Sequence, residues 1–215
     1  MLGDTTIEAH ISDAYRKALK KHNEAVYRNQ HTLSKIIDCI SFCGAFELAL
    51  RGHDEYESSS NPGIFRGLVD LIARIDNEME AHLESATVFK GTSNTIQNEL
   101  LEYMLAIIRT YIVQQLKTTD FVAIQADDTT DVATKTQSVL IFWCLNNDSK
   151  VVERFYGFPH LEDSSADTIA SAILHEINVI FPDPLQKQKL IAQSYDGALV
   201  MSGIFGGVQK TIRDV

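Results

Sequence analysis

The stretch Phe-Val-Ala-Ile-Gln-Ala-Asp-Asp-Thr-Thr-Asp, residues 121–131, marks a change in the character of the chain. Before it, apolar residues recur at helical spacing, whereas its first six residues are apolar except for one Gln and predict a buried strand. Aspartates follow this apolar run directly. Asp127 comes at its end, and Asp128 has the opposite side-chain direction if the extended backbone continues. Asp127 is therefore the better candidate for a functional group.

A second apolar run followed by an aspartate occurs further along the chain. Residues 190–195, Leu-Ile-Ala-Gln-Ser-Tyr, form a short, largely apolar run that predicts another strand, and Asp196 comes directly after it. A predicted helix at residues 164–180 separates the two strands. A right-handed crossover through that helix returns the chain beside its first strand. We expect the carboxyl ends of both strands to meet, and Asp127 or Asp128 to lie near Asp196.

The elements around these strands predict a mixed fold. Apolar and β-branched runs at residues 121–127, 138–145, 151–158 and 190–195 predict four strands. Turn residues at 146–149 predict a hairpin loop between the second and third strands. A last helix is expected from about residue 198 to the end of the sequence. The order β-β-β-α-β-α, an α+β or α/β arrangement, is typical of the front half of a ribonuclease H-like fold.

The first 118 residues are predicted to be helical almost throughout. The predicted helices cover a polar segment at residues 6–29, an apolar stripe from Leu33 to a stop near Arg51 and Gly52, a segment at 64–85, and the clearest helix at 94–118. Asn94 and Gln97 have the spacing of an N-cap and its partner. Residues 53–63 predict a surface loop. We expect two domains, a helical region at 1–118 and a partial ribonuclease H-like core at 119–215.

The composition of the chain argues against a membrane protein, a secreted protein and a general nucleic-acid binder. The 215 residues are 45% hydrophobic and 22% charged, and no apolar run approaches the ~18 residues of a membrane span. With no secretory signal and three cysteines, a nuclear or cytoplasmic protein is expected, not a secreted one. The net charge of −10 argues against general electrostatic nucleic-acid binding by the whole chain. A solvated helix face is the favoured interpretation of the amino-terminal basic cluster of Arg16, Lys17, Lys20, Lys21, Arg28 and Lys35.

The strand-end carboxylates allow two interpretations. In the first, Asp127 and Asp196 hold Mg²⁺ or Mn²⁺, hard cations that prefer carboxylate oxygens, and the chemistry is in-line attack on a phosphodiester. In the second, favoured by spacing alone, both motifs are ordinary turns that Asp and Gly stabilise. Asp131 is interpreted as a turn or cap residue. Sites of the first kind on this fold normally use a third carboxylate from a later helix, and no such helix is found before the sequence ends.

Other candidate sites are weaker. Cys39 and Cys43 are four residues apart, and His53 follows, so zinc is conceivable, but a structural zinc site needs a fourth ligand. Core cysteines on an apolar helix face are favoured. A solvated loop explains His53-Asp54-Glu55. The glycine-rich segment at 203–207 lacks the Lys-Ser/Thr ending of a phosphate loop, which excludes it as a nucleotide site.

Three motifs in order resemble the transposase-derived proteins of the hAT superfamily. The resemblance is to the branch found in zinc-finger MYM-type-like and THAP-type-like proteins, whose amino-terminal half is a domain of unknown function. The usual Asp-Glu-Ser-Thr-Asp wording is Asp-Asp-Thr-Thr-Asp here, which keeps the first Asp. The motifs cover most of the chain and are Leu50-Arg51-Gly52-His53-Asp54-Glu55 with 58–63, Ala126–Asp131, and Ser194-Tyr195-Asp196-Gly197-Ala198 with 201–203.

The resemblance implies that Asp127 and Asp196 are the ancestral metal ligands of a DNA transposase, with Mg²⁺ or Mn²⁺ as cofactor. It also implies that a Cys-x-x-His element and a catalytic Glu would follow, so this sequence resembles a truncated product and is expected to be catalytically inert. DNA is the expected partner of the full-length ancestor. The rival hypothesis is a domesticated protein-interaction or transcription-regulatory module, and a homo-oligomer is left open.

Overall fold

The computed structural model describes residues 7–54, 59–86, 90–130, 136–159, 161–196, 198–203 and 207–213. The chain divides into two compact units, residues 1–104 and 105–215. None of the helices formed by the described residues is long and apolar enough to cross a membrane. The predicted domain boundary at 118/119 lies where the chain changes from helix to strand. The boundary between the two compact units, at 104/105, falls within a helix. The domain assignment itself stays a prediction.

The first unit is built on one long helix, α1, from Ile7 to Ala45. The separate helices predicted on either side of residue 30 are therefore wrong, because no Gly or Pro interrupts the chain between them. The predicted end near Arg51 is also too late. The helix ends with Gly44 and Ala45, after which Glu47 takes a positive φ of 54° and the amide of Leu48 donates to the Cys43 carbonyl at 2.8 Å.

Two shorter helices pack against α1. They are α2, Ile64–Ala73, and α3, Asn77–Ser85, where a single helical segment was predicted. The break has a clear cause in Asp76, whose carboxylate accepts from the amides of Glu78 and Met79 at 3.1 and 3.0 Å and starts a new helix. The core of this unit consists of Ile36, Cys39, Ile40, Cys43, Phe65, Val69 and Met79.

The loop before α2 closes on its own backbone. The amide of Phe65 donates to the Leu50 carbonyl at 3.1 Å, and Gly63 has a φ of 100°. A Cβ on Gly52 would lie 2.5 Å from the Asn61 carbonyl oxygen, so the two ends of the loop touch where side chains are absent. The loop predicted at 53–63 is therefore confirmed for its described residues.

Helix α4 runs from Asn94 to Thr118. The predicted cap at Asn94 is wrong by one residue, because the Ser93 hydroxyl accepts from the amide of Ile96 at 3.4 Å. Gln97 is fully buried and donates from its side-chain amide to the Thr92 carbonyl at 3.0 Å. The predicted capping pair of Asn94 and Gln97 is therefore wrong, and Gln97 instead ties the first turn to the preceding residue Thr92.

The second unit contains a four-stranded mixed sheet in the order β3-β2-β1-β4. Strands β1, β2 and β3 are antiparallel neighbours, and β4 pairs with β1 in parallel. The predicted meander, the hairpin loop and the return of the chain beside the first strand are confirmed. The strands are Val122–Thr130, Thr136–Leu145, Val151–Gly157 and Leu190–Ser194.

One face of this sheet carries the core of the second unit. Helix α5, Ala166–Ile180, packs there through isoleucines at positions 169, 173 and 177, and Ser165 caps its first turn. Alternate residues of β1 face this helix because side chains alternate along a strand. The buried strand residues are Val122, Ile124, Ala126, Leu140, Phe142, Cys144 and Tyr156.

The end of the chain differs from the predicted single helix. After a short helix α6, Pro184–Lys187, and strand β4, the described residues form α7, Leu199–Ser202, and α8, Val208–Arg213. Gly203 and Gly207 interrupt the helix, and the Gly207 amide donates to the Gly203 carbonyl at 2.9 Å. The mixed α+β fold with amino-terminal helices is confirmed.

Candidate functional site

The two candidate aspartates stand at equal sequence distances from the last residue pair of two neighbouring parallel strands. The last paired residues of β1 and β4 are Gln125 and Ser194. Asp127 and Asp196 each come two residues after this pair. Strand β4 ends at Ser194, whereas β1 continues beside β2 to Thr130. Extending the register by two residues would bring the backbone of Asp196 alongside that of Asp127.

Both candidate aspartates are exposed to solvent. Ile124 and Ala126 are buried against the helices, so Asp127 must point to the other face, and it is exposed. Tyr195 packs against the buried core, and Asp196, the next residue, is exposed. Asp127 therefore points away from the core, and Asp196 is exposed in the turn that follows β4.

The immediate setting of Asp127 differs from the prediction. Strand β1 does not end there but continues to Thr130, since its residues keep pairing with β2, and Asp127 faces Val139. A turn at 127–130, the favoured interpretation from spacing alone, is therefore wrong. Asp128 pairs through its backbone with Ser138. The side chain of Asp128 and all of Asp131 lie outside the described residues.

Polar groups next to Asp127 hold its strand. The buried Ser138 hydroxyl donates to the Asp127 carbonyl at 3.4 Å. One step back on the same face, the indole N–H of Trp143 donates to the Gln125 side-chain oxygen at 3.0 Å. The carboxylate of Asp127 thus projects from a backbone that is fixed on the β2 side.

A hydrogen-bonded chain supports the turn that carries Asp196. The Tyr195 hydroxyl donates to the Gln193 side-chain oxygen at 2.9 Å, and the Gln193 side-chain amide donates to the Gln209 carbonyl in α8 at 3.1 Å. Burial raises the pKa of Tyr195, which keeps its hydroxyl a donor. Sequence reasoning missed Gln193 and Gln209, since neither a motif nor a periodicity marks them.

Asp196 itself forms a short turn. Its carboxylate accepts from the amide of Ala198 at 3.2 Å. This is the turn chemistry expected of Asp before a small residue. One carboxylate oxygen is thus used locally, and the arrangement leaves the second able to bind a ligand. The turn and metal-ligand interpretations of Asp196 are therefore compatible.

The donor set suits a hard cation but is small. Two exposed carboxylates would match the preference of Mg²⁺, which keeps several waters and takes one or two protein carboxylates. No group of three or more His, Cys, Asp or Glu residues positioned to hold a metal is found in the described part of the chain. The residues present therefore fit a weakly held, largely hydrated ion.

The exposure of the side chains decides between the interpretations of the two cysteines and the His53 loop. Cys39 and Cys43 are 2% and 0% exposed in the helical core, and burial raises the pKa of Cys39 to about 11. A thiol that stays protonated is a poor metal ligand, so their interpretation as core residues is confirmed. His53 and Asp54 are exposed in the loop, whereas Glu55 and residues 204–206 lie outside the described residues.

Comparison with known families identifies the domain. Residues 6–207 match the family model described as the ZMYM1/FAM200, RNase-like domain, DUF4371. The chain belongs to this family. The match spans both compact units, so the helices and the sheet of this RNase-like domain form one inherited region. No solved structure matches the chain.

Proposed function

We propose that this RNase-like domain derives from a DNA transposase of the hAT superfamily and that Asp127 and Asp196 are its inherited metal ligands. The observation that carries the proposal is the matched position of the two aspartates, each two residues beyond the last β1–β4 pair. Membership of the ZMYM1/FAM200, RNase-like family supports it. The ancestral activity is metal-dependent DNA strand cleavage and transfer.

In this proposal, the two carboxylates bind Mg²⁺ or Mn²⁺. When bound, such an ion activates water or a 3′-hydroxyl and neutralises charge on a phosphodiester. The residues of the chain hold the ion at an exposed sheet edge that a nucleic-acid backbone can reach. The Tyr195–Gln193–Gln209 chain orients the turn that presents Asp196.

We infer further that this chain alone binds the cation without cleaving DNA. Two-metal phosphoryl transfer requires two ions about 3.5–4 Å apart. Two carboxylates cannot hold such a pair tightly, and the described residues contain no third acidic group near enough to form a cluster. Ion binding with no strand cleavage is therefore the expected behaviour.

Thermal unfolding in Mn²⁺ tests the assignment. For a dissociation constant of about 1 mM, 10 mM Mn²⁺ stabilises the folded state by about 1.4 kcal/mol, a rise of a few degrees in Tm. The double variant Asp127→Asn/Asp196→Asn should lose this rise. Asp148→Asn, at an exposed aspartate in the β2–β3 hairpin, is the matched control and should keep it. An equal response of the double variant and the wild type would exclude the assignment.

The net charge of −10 favours a second candidate, a domesticated regulatory module that acts in the nucleus through protein partners. An acidic chain gains little from phosphate contacts. Duplex-DNA binding at low salt separates the two candidates. Binding that Mn²⁺ strengthens in the wild type but not in the double variant supports the transposase-derived site, whereas no binding at 50 mM salt supports the regulatory module.

A further inference from the structure

The two halves of helix α1 differ in how they are covered. In the carboxyl-terminal half, Ile36, Ile40 and Cys43 are at most 2% exposed, packed against α2 and α3. Between residues 12 and 30, no side chain is buried. An isolated helix of this length is marginal in water, because most helical stability in proteins comes from packing of an apolar face. The amino-terminal half lacks such packing within the described residues.

One row of residues, called the stripe below, runs along a single face of α1 through both halves. Starting at residue 15, it advances in alternating steps of four and three residues without interruption. This is the heptad spacing of helices that pair along a shared seam. Its residues are Tyr15, Leu19, His22, Val26, Asn29, Leu33, Ile36, Ile40 and Cys43.

The carboxyl-terminal part of the stripe is covered by helices of the same chain, and the amino-terminal part, called the open stripe below, is exposed. Tyr15 is 68% exposed, Leu19 47% and Val26 38%. Leu33, where the two parts meet, is 36% exposed. Because the open part keeps the register of the buried part, a helix is the element that its spacing fits.

The flanks of the open stripe suit pairing with an identical helix. The open positions beside it at 18, 23, 25 and 30 are Ala, Asn, Ala and Gln, and Arg16 is the one charged flank between residues 15 and 33. Thr32, the last flank, is 2% exposed and is covered by the same chain. Residues flanking a seam decide which partners are tolerated, and like charges there oppose self-pairing. The basic residues Lys17, Lys20, Lys21 and Arg28 lie at the remaining positions, away from the seam.

We propose that residues 15–33 of α1 pair with the same segment of a second copy of this chain as a two-stranded coiled coil. The seam is about 27 Å long at 1.5 Å per residue. His22 and Asn29 place polar groups within it, which costs stability but selects register. The contact belongs to the class of small interfaces below about 1,200 Å², so the dimer is weak and concentration-dependent.

Sedimentation velocity of the full chain between about 1 and 200 µM tests the pairing. The wild-type mass should rise from 24.0 kDa toward twice that value. Leu19→Asp/Val26→Asp should remain monomeric over the whole range. Tyr27→Asp, at a 66% exposed tyrosine off the seam, should dimerise like the wild type. A monomeric wild type at 200 µM, or an equal effect of Tyr27→Asp, overturns the proposal.

A strengthening variant keeps the test decisive if the charged variant folds poorly. Asn29→Leu replaces a polar seam residue with an apolar one and should lower the dissociation constant at least tenfold. Lys17→Leu, at an exposed position away from the seam, is its control and should change the constant less than threefold. Unchanged dimerisation of Asn29→Leu would also overturn the proposal.

Discussion

The two compact units use their polar side chains in different ways. In the helical unit, polar groups close contacts between elements: His31 on α1 bonds the Asp76 carboxylate at 2.6 Å, and Arg51 bonds Asn98 on α4. In the sheet unit, the corresponding polar chain through Tyr195 and Gln193 supports a turn whose carboxylate stays exposed. The polar groups of the helical unit are therefore used in packing, whereas the Asp196 carboxylate remains accessible to solvent.

The largest expected effect comes from breaking the core of the sheet unit. Phe142 is fully buried, and its ring meets that of Tyr156 edge-on at 5.5 Å. Phe142→Ala should destabilise the unit by about 3–5 kcal/mol through lost burial and a cavity. Urea unfolding followed by fluorescence of Trp143, the single tryptophan, measures this loss. Phe155→Ala, at a 47% exposed residue of β3, should cost far less, and equal losses would contradict this description of the core.

The closed loop of the helical unit should be the next most sensitive point. At Gly63 the φ is 100°, and an added Cβ would meet the backbone of Gly52 and Arg51. Gly63→Ala should therefore cost about 1–3 kcal/mol. Gly67→Ala in α2, where nothing lies within 4 Å, should stabilise by about 0.5–1 kcal/mol because alanine favours helix. Urea unfolding followed by circular dichroism at 222 nm checks both, and effects of the same sign would refute the explanation.

Asp76 should make the helical unit sensitive to acid. The Met79 amide and the His31 side chain lower the pKa of this carboxyl by hydrogen bonding. Its stabilising contribution is therefore complete above the ordinary carboxyl pKa of about 3.9 and is lost as the pH falls through the lowered value.

Asp76→Asn should accordingly cost about 1.5 kcal/mol at pH 7, the scale of a hydrogen bond to a charged group, and the difference should close toward pH 2. Urea midpoints between pH 2 and 7 measure it. Asp70→Asn, at an exposed aspartate of α2, serves as the control and should show no such gap. A gap that is independent of pH would mean that the charge of Asp76 is not the cause.

The smallest expected effect concerns the support of Asp196. Tyr195→Phe removes the hydroxyl that donates to Gln193 and should cost about 1 kcal/mol. If this chain of hydrogen bonds also orients Asp196, the same variant weakens Mn²⁺ binding in a competition assay, whereas Tyr111→Phe, at an exposed tyrosine of α4, leaves it unchanged. Unaltered Mn²⁺ affinity in Tyr195→Phe would limit the hydroxyl to a structural role.

The arrangement of the sheet could be predicted because it follows from local patterns and chain handedness. Apolar runs located β1 and β4, and the intervening helix required a right-handed return that made them neighbours. The capping of α4 and the break at Asp76 depended on single side-chain contacts with backbone amides. Such contacts are decided among several similar residues, so Asn94 was predicted where Ser93 is the cap.

The role of the two candidate aspartates stays a prediction, and the surroundings of these residues could not be read from the sequence. Spacing marked Asp127 and Asp196 as candidates, and the resemblance raised them above the turn interpretation. The continuation of β1 to Thr130 depends on pairing with β2, which a single strand does not reveal. Gln193 and Gln209 meet through tertiary packing of β4 and α8. Sequence patterns give the strand positions, and the hydrogen-bonded support emerges only when those strands are assembled.

The most direct test of the site is Mn²⁺ binding measured by electron paramagnetic resonance, in which the signal of the free ion falls as the ion binds. The wild-type chain and Asp148→Asn should bind Mn²⁺ with equal affinity. Asp127→Asn and Asp196→Asn should each weaken binding, and the double variant should leave the ion free up to millimolar protein. Binding by the double variant with wild-type affinity would contradict the assignment of these two aspartates as a metal site.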